Sequence, residues 1–252
     1  MTTEPNHPEC WLPADWPLPG HVHAGCTTRL GGYSKTPYDT LNLGEHVGDI
    51  QADVSRNRKY LIDTVALPAE PSWLKQTHGN RVVELAKTSF NHEADGAYTR
   101  QPGIICTVLT ADCVPVLLSS EDGQEIAAVH AGWRGFSKDI IASAIAHFIS
   151  PGPRISAWIG PCIGVQHYET DENIKKSCLA VAGSGGDAFL PSRPGHCLTD
   201  LQKLVQQRLQ ELGVCRIYGG QYCTYTHSRL FYSYRKEGTT GRFASLIWMD
   251  SG

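Results

Sequence analysis

Thr110-Ala111-Asp112-Cys113 and His130-Ala131-Gly132-Trp133-Arg134-Gly135 bracket the stretch whose reading decides the fold. Between them lie two β-prone apolar runs, Val114 to Ser119 and Glu125 to Val129, joined by Glu121-Asp122-Gly123-Gln124. An Asp-Gly pair between such runs predicts a β-hairpin. With Asp122 and Gly123 as the loop, Glu121 pairs with Gln124 and Cys113 falls opposite Gly132. His130 is then diagonal to Cys113 on the same face, roughly 7–8 Å away. A thiol and an imidazole so placed suit a metal ion or a Cys–His catalytic pair.

Working outward, 252 residues of which 41% are hydrophobic can bury a sizeable core. The expectation is one domain over 1–252, with an irregular Pro- and Trp-rich segment over 1–20. A net charge of −3 lacks the basic footprint of a nucleic-acid binder. No apolar run approaches the roughly 18 residues of a membrane-spanning helix, and no basic cluster reads as a membrane anchor. Met1 to Pro19 has neither the positive start nor the apolar centre of a secretory signal. A cytoplasmic monomer acting on a small molecule is the expectation. The nine cysteines include no CxxC pair, which argues against a zinc ribbon and for reduced thiols. Cys106, Cys178 and Cys215 read as small buried hydrophobes.

Helices are predicted over Asp53 to Val65 (capped by Asp53), Ser137 to Ile149, Asp171 to Val181, and Asp200 to Leu212 (capped by Thr199). Strands are predicted at Trp73-Leu74, Val82 to Leu85, Gly103 to Leu109, Ile155 to Ile159, Arg216 to Tyr218, Leu230 to Tyr234 and Ala244 to Trp248. Most strand-to-strand links are too short for parallel crossovers, so the fold class is α+β with mixed β-sheets.

His78 sits in the polar turn Gln76-Thr77-His78-Gly79-Asn80. With Cys113 and His130 it completes a His/Cys/His set, and three protein ligands with one open position is the pattern of catalytic zinc. Water at such an ion has a pKa near 7. Spacing alone does not settle this, because a turn histidine is more often a solvated surface group. Asp112 is a hydrogen-bond acceptor supporting a ligand from behind or a general acid/base, or else an ordinary turn aspartate. Arg29, Asn42, Arg58 and Arg235 lie near Gly-rich or strand-end segments, where an arginine binds phosphate bidentately or makes an exposed salt bridge. His21-Val22-His23 has no cysteine companion and reads as incidental.

Seven stretches carry a resemblance. They are Thr27-Thr28-Arg29-Leu30-Gly31-Gly32, Leu41-Asn42-Leu43-Gly44 with His46-Val47-Gly48-Asp49, Gln76-Thr77-His78-Gly79, Thr110 to Pro115, His130 to Gly135, Ile159 to Ile163, and Thr240-Gly241-Arg242-Phe243-Ala244-Ser245. In this order they resemble the multicopper polyphenol oxidase (laccase-domain) family, also described as zinc-dependent purine nucleoside phosphorylases and as peptidoglycan editing factors. The match runs from about Thr27 to Trp248. Thr77 stands where the family usually has Val.

The resemblance implies a single layered α/β/β/α-type domain, similar to cytotoxic necrotizing factor-type cysteine hydrolases. It implies metal ligands at His78, Cys113 and His130, the trio that the residues themselves nominate. It also implies phosphorolysis of adenosine, inosine and methylthioadenosine, with adenosine deamination alongside and a link to editing of cell-wall precursors.

A copper oxidase is the weaker reading. Blue-copper sites add an axial ligand, commonly Met, and only Met1 and Met249 are present. Zn²⁺ is the expected ion, with copper as the alternative occupant. Asp112 is the candidate proton carrier, and Arg58, Asn42 and Arg29 are candidates for holding phosphate and substrate. A metal-free hydrolase with Cys113 as nucleophile and His130 as base is the second hypothesis. A non-catalytic binding protein is the third.

Overall fold

The ribbon from Val114 to Val129 folds back on itself in the predicted register, with Val114 opposite Ala131 and Pro115 opposite His130. The loop is longer than expected. Ser120 pairs with Glu125, and Gly123 N donates to Ser120 O at 3.0 Å with φ of +69° at Gly123. Asp122 Oδ1 accepts from Ser120 Oγ (2.6 Å) and Gln124 N (3.1 Å), which favours this side-chain-braced turn over a two-residue one. Because the loop grows by one residue at each end, the register survives.

The computed structural model describes residues 8–86 and 92–250. Its strands are β1 (Trp11–Pro13), β2 (Val22–Thr27), β3 (Val82–Glu84), β4 (Gly96–Thr99), β5 (Cys106–Thr110), β6 (Val114–Ser120), β7 (Ile126–Ala131), β8 (Ile155–Ile159), β9 (Glu169–Asp171), β10 (Phe189–Pro191), β11 (His196–Thr199), β12 (Arg216–Gly219) and β13 (Phe243–Met249). The helices are α1 (Gln51–Val65), α2 (Trp133–Phe136), α3 (Ile140–Ile145), α4 (Glu172–Leu179), α5 (Leu201–Glu211) and α6 (Tyr234–Glu237).

One sheet has the order β1-β2-β13-β5, and a larger one β12-β8-β6-β7-β4-β3; β9 to β11 form a small third sheet. The β3–β4 and β8–β12 pairs are parallel and the rest antiparallel, so the six-stranded sheet is mixed and the other two are antiparallel.

Period-two alternation sorts the layers. On β6, Leu117 packs with Val108 and Ile247 of the other sheet, while Val116 and Leu118 face Ile140, Ala144 and Leu204 of α3 and α5. On β13, Leu246 and Trp248 turn outward onto Leu61 of α1. The stacking is therefore helix, sheet, sheet, helix, and β6 and β7 are buried on both faces. Among the described residues no helix is long and apolar enough to cross a membrane.

Several local expectations are corrected. The 1–20 segment carries the edge strand β1 and buries Trp16, whose Nε1 donates to Ser156 Oγ at 3.1 Å; residues 1–7 lie outside the described residues. Helix α1 starts before Asp53, at an Ile50 cap without a side-chain bond. The helix expected over Ser137 to Ile149 is shortened to α3, because Asp139 adopts φ 61° and caps it by accepting from Ala142 N at 3.3 Å. Asp200 caps α5, while the Thr199 hydroxyl is buried against Thr170. Leu230 to Tyr234 is not a strand. Leu230 N and Phe231 N both bond back to His227 O, and the chain then enters α6 through its Ser233 cap. Cys106 and Cys178 are buried, but Cys215 is exposed.

Candidate metal centre

The hairpin delivers Cys113 from the β5–β6 turn and His130 from within β7. His78 comes from the Gln76–Asn80 turn, which Gln76 pins to β5 like a missing strand partner: its Nε2 donates to Leu109 O (2.8 Å) and its Oε1 accepts from Leu109 N (2.7 Å). One ligand atom from each of His78, Cys113 and His130 lies within 4.8 Å of the others. The two imidazoles meet edge to face, with ring centroids 4.8 Å apart. His78 is exposed, Cys113 half-buried and His130 buried, so the cluster opens to one side.

Asp95, fully buried, organises this trio and was not read from the sequence. Its carboxylate accepts from Thr77 N (3.1 Å), Thr77 Oγ1 (3.2 Å), His78 N (2.9 Å), Gly79 N (2.7 Å) and His130 Nδ1 (2.8 Å). A carboxylate held by so many donors stays ionised and can only accept, so Nδ1 of His130 carries a proton and Nε2 turns toward Cys113. The Thr77 departure from the family pattern adds a hydrogen bond to the same carboxylate.

Electrostatics follow from this arrangement. Burial pushes the Cys113 thiol up, but the His130 and His78 imidazoles outweigh it and bring it down to about 6. Burial pushes His130 down, but Cys113 and Asp95 outweigh it and raise it to about 9. Burial raises the Asp95 carboxyl, and His130 and the Gly79 and Thr77 amides more than offset this, leaving it below its usual range. Gly132 is sterically required: a Cβ there would lie 2.8 Å from Cys113 Sγ and 3.3 Å from His78 Cδ2.

The remaining candidates separate. Asp112 adopts φ 93°, and its carboxylate accepts from Thr224 Oγ1 and Arg235 N, each at 2.6 Å. It braces the Cys113 turn against the 224–235 segment. Arg29 is buried elsewhere; it donates to Glu237 (2.6 Å), Asp39 O and Ser228 O and stacks on Tyr232. Those contacts make it a structural cation. Arg58 donates to Leu43 O and Glu45 and lies over the Trp73 ring. Asn42 is fully buried, and its Oδ1 takes both Gly44 N (3.0 Å) and Arg242 N (2.9 Å). Arg242, inside the quoted Thr240-to-Ser245 stretch but not singled out there, lies within electrostatic reach of Cys113 and Asp112.

Comparison with known proteins places the chain in a family. Residues 23–250 match the family described as multi-copper polyphenol oxidoreductase laccase. The chain is 43% identical over 235 residues to the purine nucleoside phosphorylase YfiH of Shigella flexneri, covering 93% of this chain and 96% of that one. It is 42% identical over 241 residues to a purine nucleoside phosphorylase of Pseudomonas aeruginosa, covering 95% and 98%. Among solved structures, a Neisseria meningitidis protein superposes with a TM-score of 0.92 at 38% identity, covering 96% of this chain and all of that one. YlmD from Geobacillus stearothermophilus gives 0.90 at 29% identity, covering 96% of each.

Proposed function

Because the chain belongs to the multi-copper polyphenol oxidoreductase laccase family, and its relatives carry the name purine nucleoside phosphorylase, we propose that it is a zinc-dependent purine nucleoside phosphorylase. The observation that carries the reading is the convergence of His78, Cys113 and His130. Imidazole nitrogen and thiolate are zinc's usual donors, and Gly132 leaves the space between them clear. Zinc bound there would supply Lewis acidity.

The chain's own residues do the rest. Cys113 and the two imidazoles hold the ion, and Asp95 fixes the tautomer of His130 and the turn of His78. The substrates of this reading are adenosine, inosine and methylthioadenosine, cleaved by phosphate to the free base and the sugar 1-phosphate. Adenosine deamination at the same centre also needs a proton carrier; Asp112, which directly precedes Cys113, fills that role only by releasing Thr224 Oγ1 or Arg235 N. The enzyme of this reading is a single-domain cytoplasmic monomer. The test is a product assay on zinc-replete protein with adenosine, with and without phosphate. Adenine with ribose 1-phosphate, formed only with phosphate, supports the reading; its absence overturns it.

A second reading rests on the Cys113–His130–Asp95 chain, which matches a nucleophile, its base and an orienting carboxylate. It makes the protein a hydrolase or amidase acting on cell-wall precursors. Full activity in chelator-treated protein, destroyed by thiol alkylation, would favour it. A copper-dependent polyphenol oxidase is disfavoured by donor chemistry: among the described residues the one methionine, Met249, lies in β13 paired with Val22 of β2 and offers no axial ligand.

A further inference from the structure

Phosphorolysis, if the reading above holds, needs a seat for a tetrahedral oxyanion beside the metal centre. The residues suggested by sequence do not provide it, since the Arg29 and Arg58 donors are bonded within the fold. We infer that inorganic phosphate is held by the Nε–Nη2 edge of Arg242 together with His46, and that Asn42 builds this seat without touching the anion.

The argument begins with register. Phe243 pairs with Thr110, so Arg242 emerges beside the Ala111–Cys113 turn, at the rim of the His78–Cys113–His130 cluster. Its orientation is fixed from one side only. Nη1 donates to Thr240 O (3.0 Å) and Gly241 O (2.8 Å), and the guanidinium lies 5.9 Å from the Tyr234 ring centroid. Among the described residues none accepts from Nε or Nη2 and no carboxylate pairs with this cation. An arginine fork with one edge pinned and the other free matches the bidentate geometry of a phosphate oxygen pair.

His46 arrives by a separate route. It lies on the single turn Glu45–Val47, whose preceding residue is Gly44. Asn42 Oδ1 clasps Gly44 N to Arg242 N, and Leu43 N donates to Arg242 O at 3.0 Å. Gly44 allows the approach, since a Cβ there would stand 2.9 Å from Arg242 Cγ. The result is a corner in which Arg242, His78 and Arg58 lie within electrostatic reach of His46; burial, and then these neighbours, hold its imidazole below its usual pKa. The two nearby carboxylates are already engaged, Glu45 by Arg58 (2.9 Å) and Asp112 by Thr224 and Arg235. An anion entering here meets the Arg242 charge, which no carboxylate among the described residues pairs.

The experiment titrates inorganic phosphate against zinc-loaded wild type, Arg242→Ala and Arg242→Lys, by calorimetry and in the phosphorolysis assay. Loss of the fork weakens phosphate binding and raises the phosphate KM about tenfold or more. The adenosine KM moves far less, and Arg242→Lys, with charge but no fork, falls between. Asn42→Ala shifts phosphate binding the same way without removing any cation. Equal phosphate affinity in wild type and both Arg242 variants overturns the inference. If wild type releases no sugar 1-phosphate but binds phosphate in an Arg242-dependent way, the phosphorylase reading fails and the seat stands. Adenosine 5′-monophosphate binding far more tightly than phosphate, and depending on Arg242, would reassign the seat to a nucleotide and overturn the inference as stated.

Discussion

One oxygen of Asp95 holds both histidines of the centre: Oδ1 takes His130 Nδ1 at 2.8 Å and the backbone amide of His78 at 2.9 Å. The two imidazoles, far apart in sequence, thus share a single buried anchor. Asp95→Asn keeps the size but replaces one acceptor oxygen with a donor group. Its zinc affinity should fall about 10–100-fold, the usual loss when an outer-shell partner is removed. Competition against a chromogenic chelator measures this directly, and unchanged affinity would contradict the anchoring role.

Gly132→Ala tests the shape of the centre separately from its charge. Gly132 has φ −79°, so alanine brings no backbone strain, only a methyl 2.8 Å from Cys113 Sγ. The variant should fold with near-native circular dichroism yet retain far less than one zinc per chain. Full zinc occupancy by elemental analysis would refute the steric argument.

The metal-free protein should show an unusual pH response. Cys113 is depressed to about 6 and His130 is raised to about 9, so thiolate and imidazolium coexist between those values. The His130 contribution to stability is complete below its unfolded pKa of about 6.5 and is lost as pH rises through about 9. The Cys113 contribution has the opposite sign, being present at high pH and lost as pH falls through about 6. Alkylation of apo protein, followed by mass spectrometry with Cys113→Ser as control, should inflect near pH 6. An inflection near the ordinary thiol value of about 8.5 would remove the ion pair.

Arg29→Ala should behave as a core mutation. It removes a buried cation that bonds Glu237 (2.6 Å), Asp39 O and Ser228 O; because Glu237 is partly exposed to water, the loss is about 1–3 kcal/mol. Chemical denaturation should show that loss, while phosphate affinity of the folded protein matches wild type. A stable variant with weakened phosphate binding would return Arg29 to the substrate.

The hairpin was legible because its register depends only on a turn signal and the period of a strand. That alone placed Cys113 and His130 on one face. The role of Asp95 was not legible, since it is a lone acid between Ala94 and Gly96 and its meaning lies in the Gln76–Asn80 turn that folds over it. Asn42 and Arg29 stood out as polar residues near glycines, but their partners, Arg242 and Glu237, lie some two hundred positions away. No local pattern encodes such a clasp. Leu230 to Tyr234 misled for a related reason: consecutive Phe231 and Tyr232 are both buried, as in a strand covered on two faces, yet the backbone bonds to His227 instead of a neighbouring strand.

Strand β13 lies between β2 and β5, both of which leave the ribosome long before it. A nascent polypeptide can therefore carry His78, Cys113 and His130 while the sheet beneath them still has a gap. Arg242 sits at the leading end of the strand that fills it. The arginine clasped by Asn42 therefore joins the three ligating side chains only when the last strand is in place.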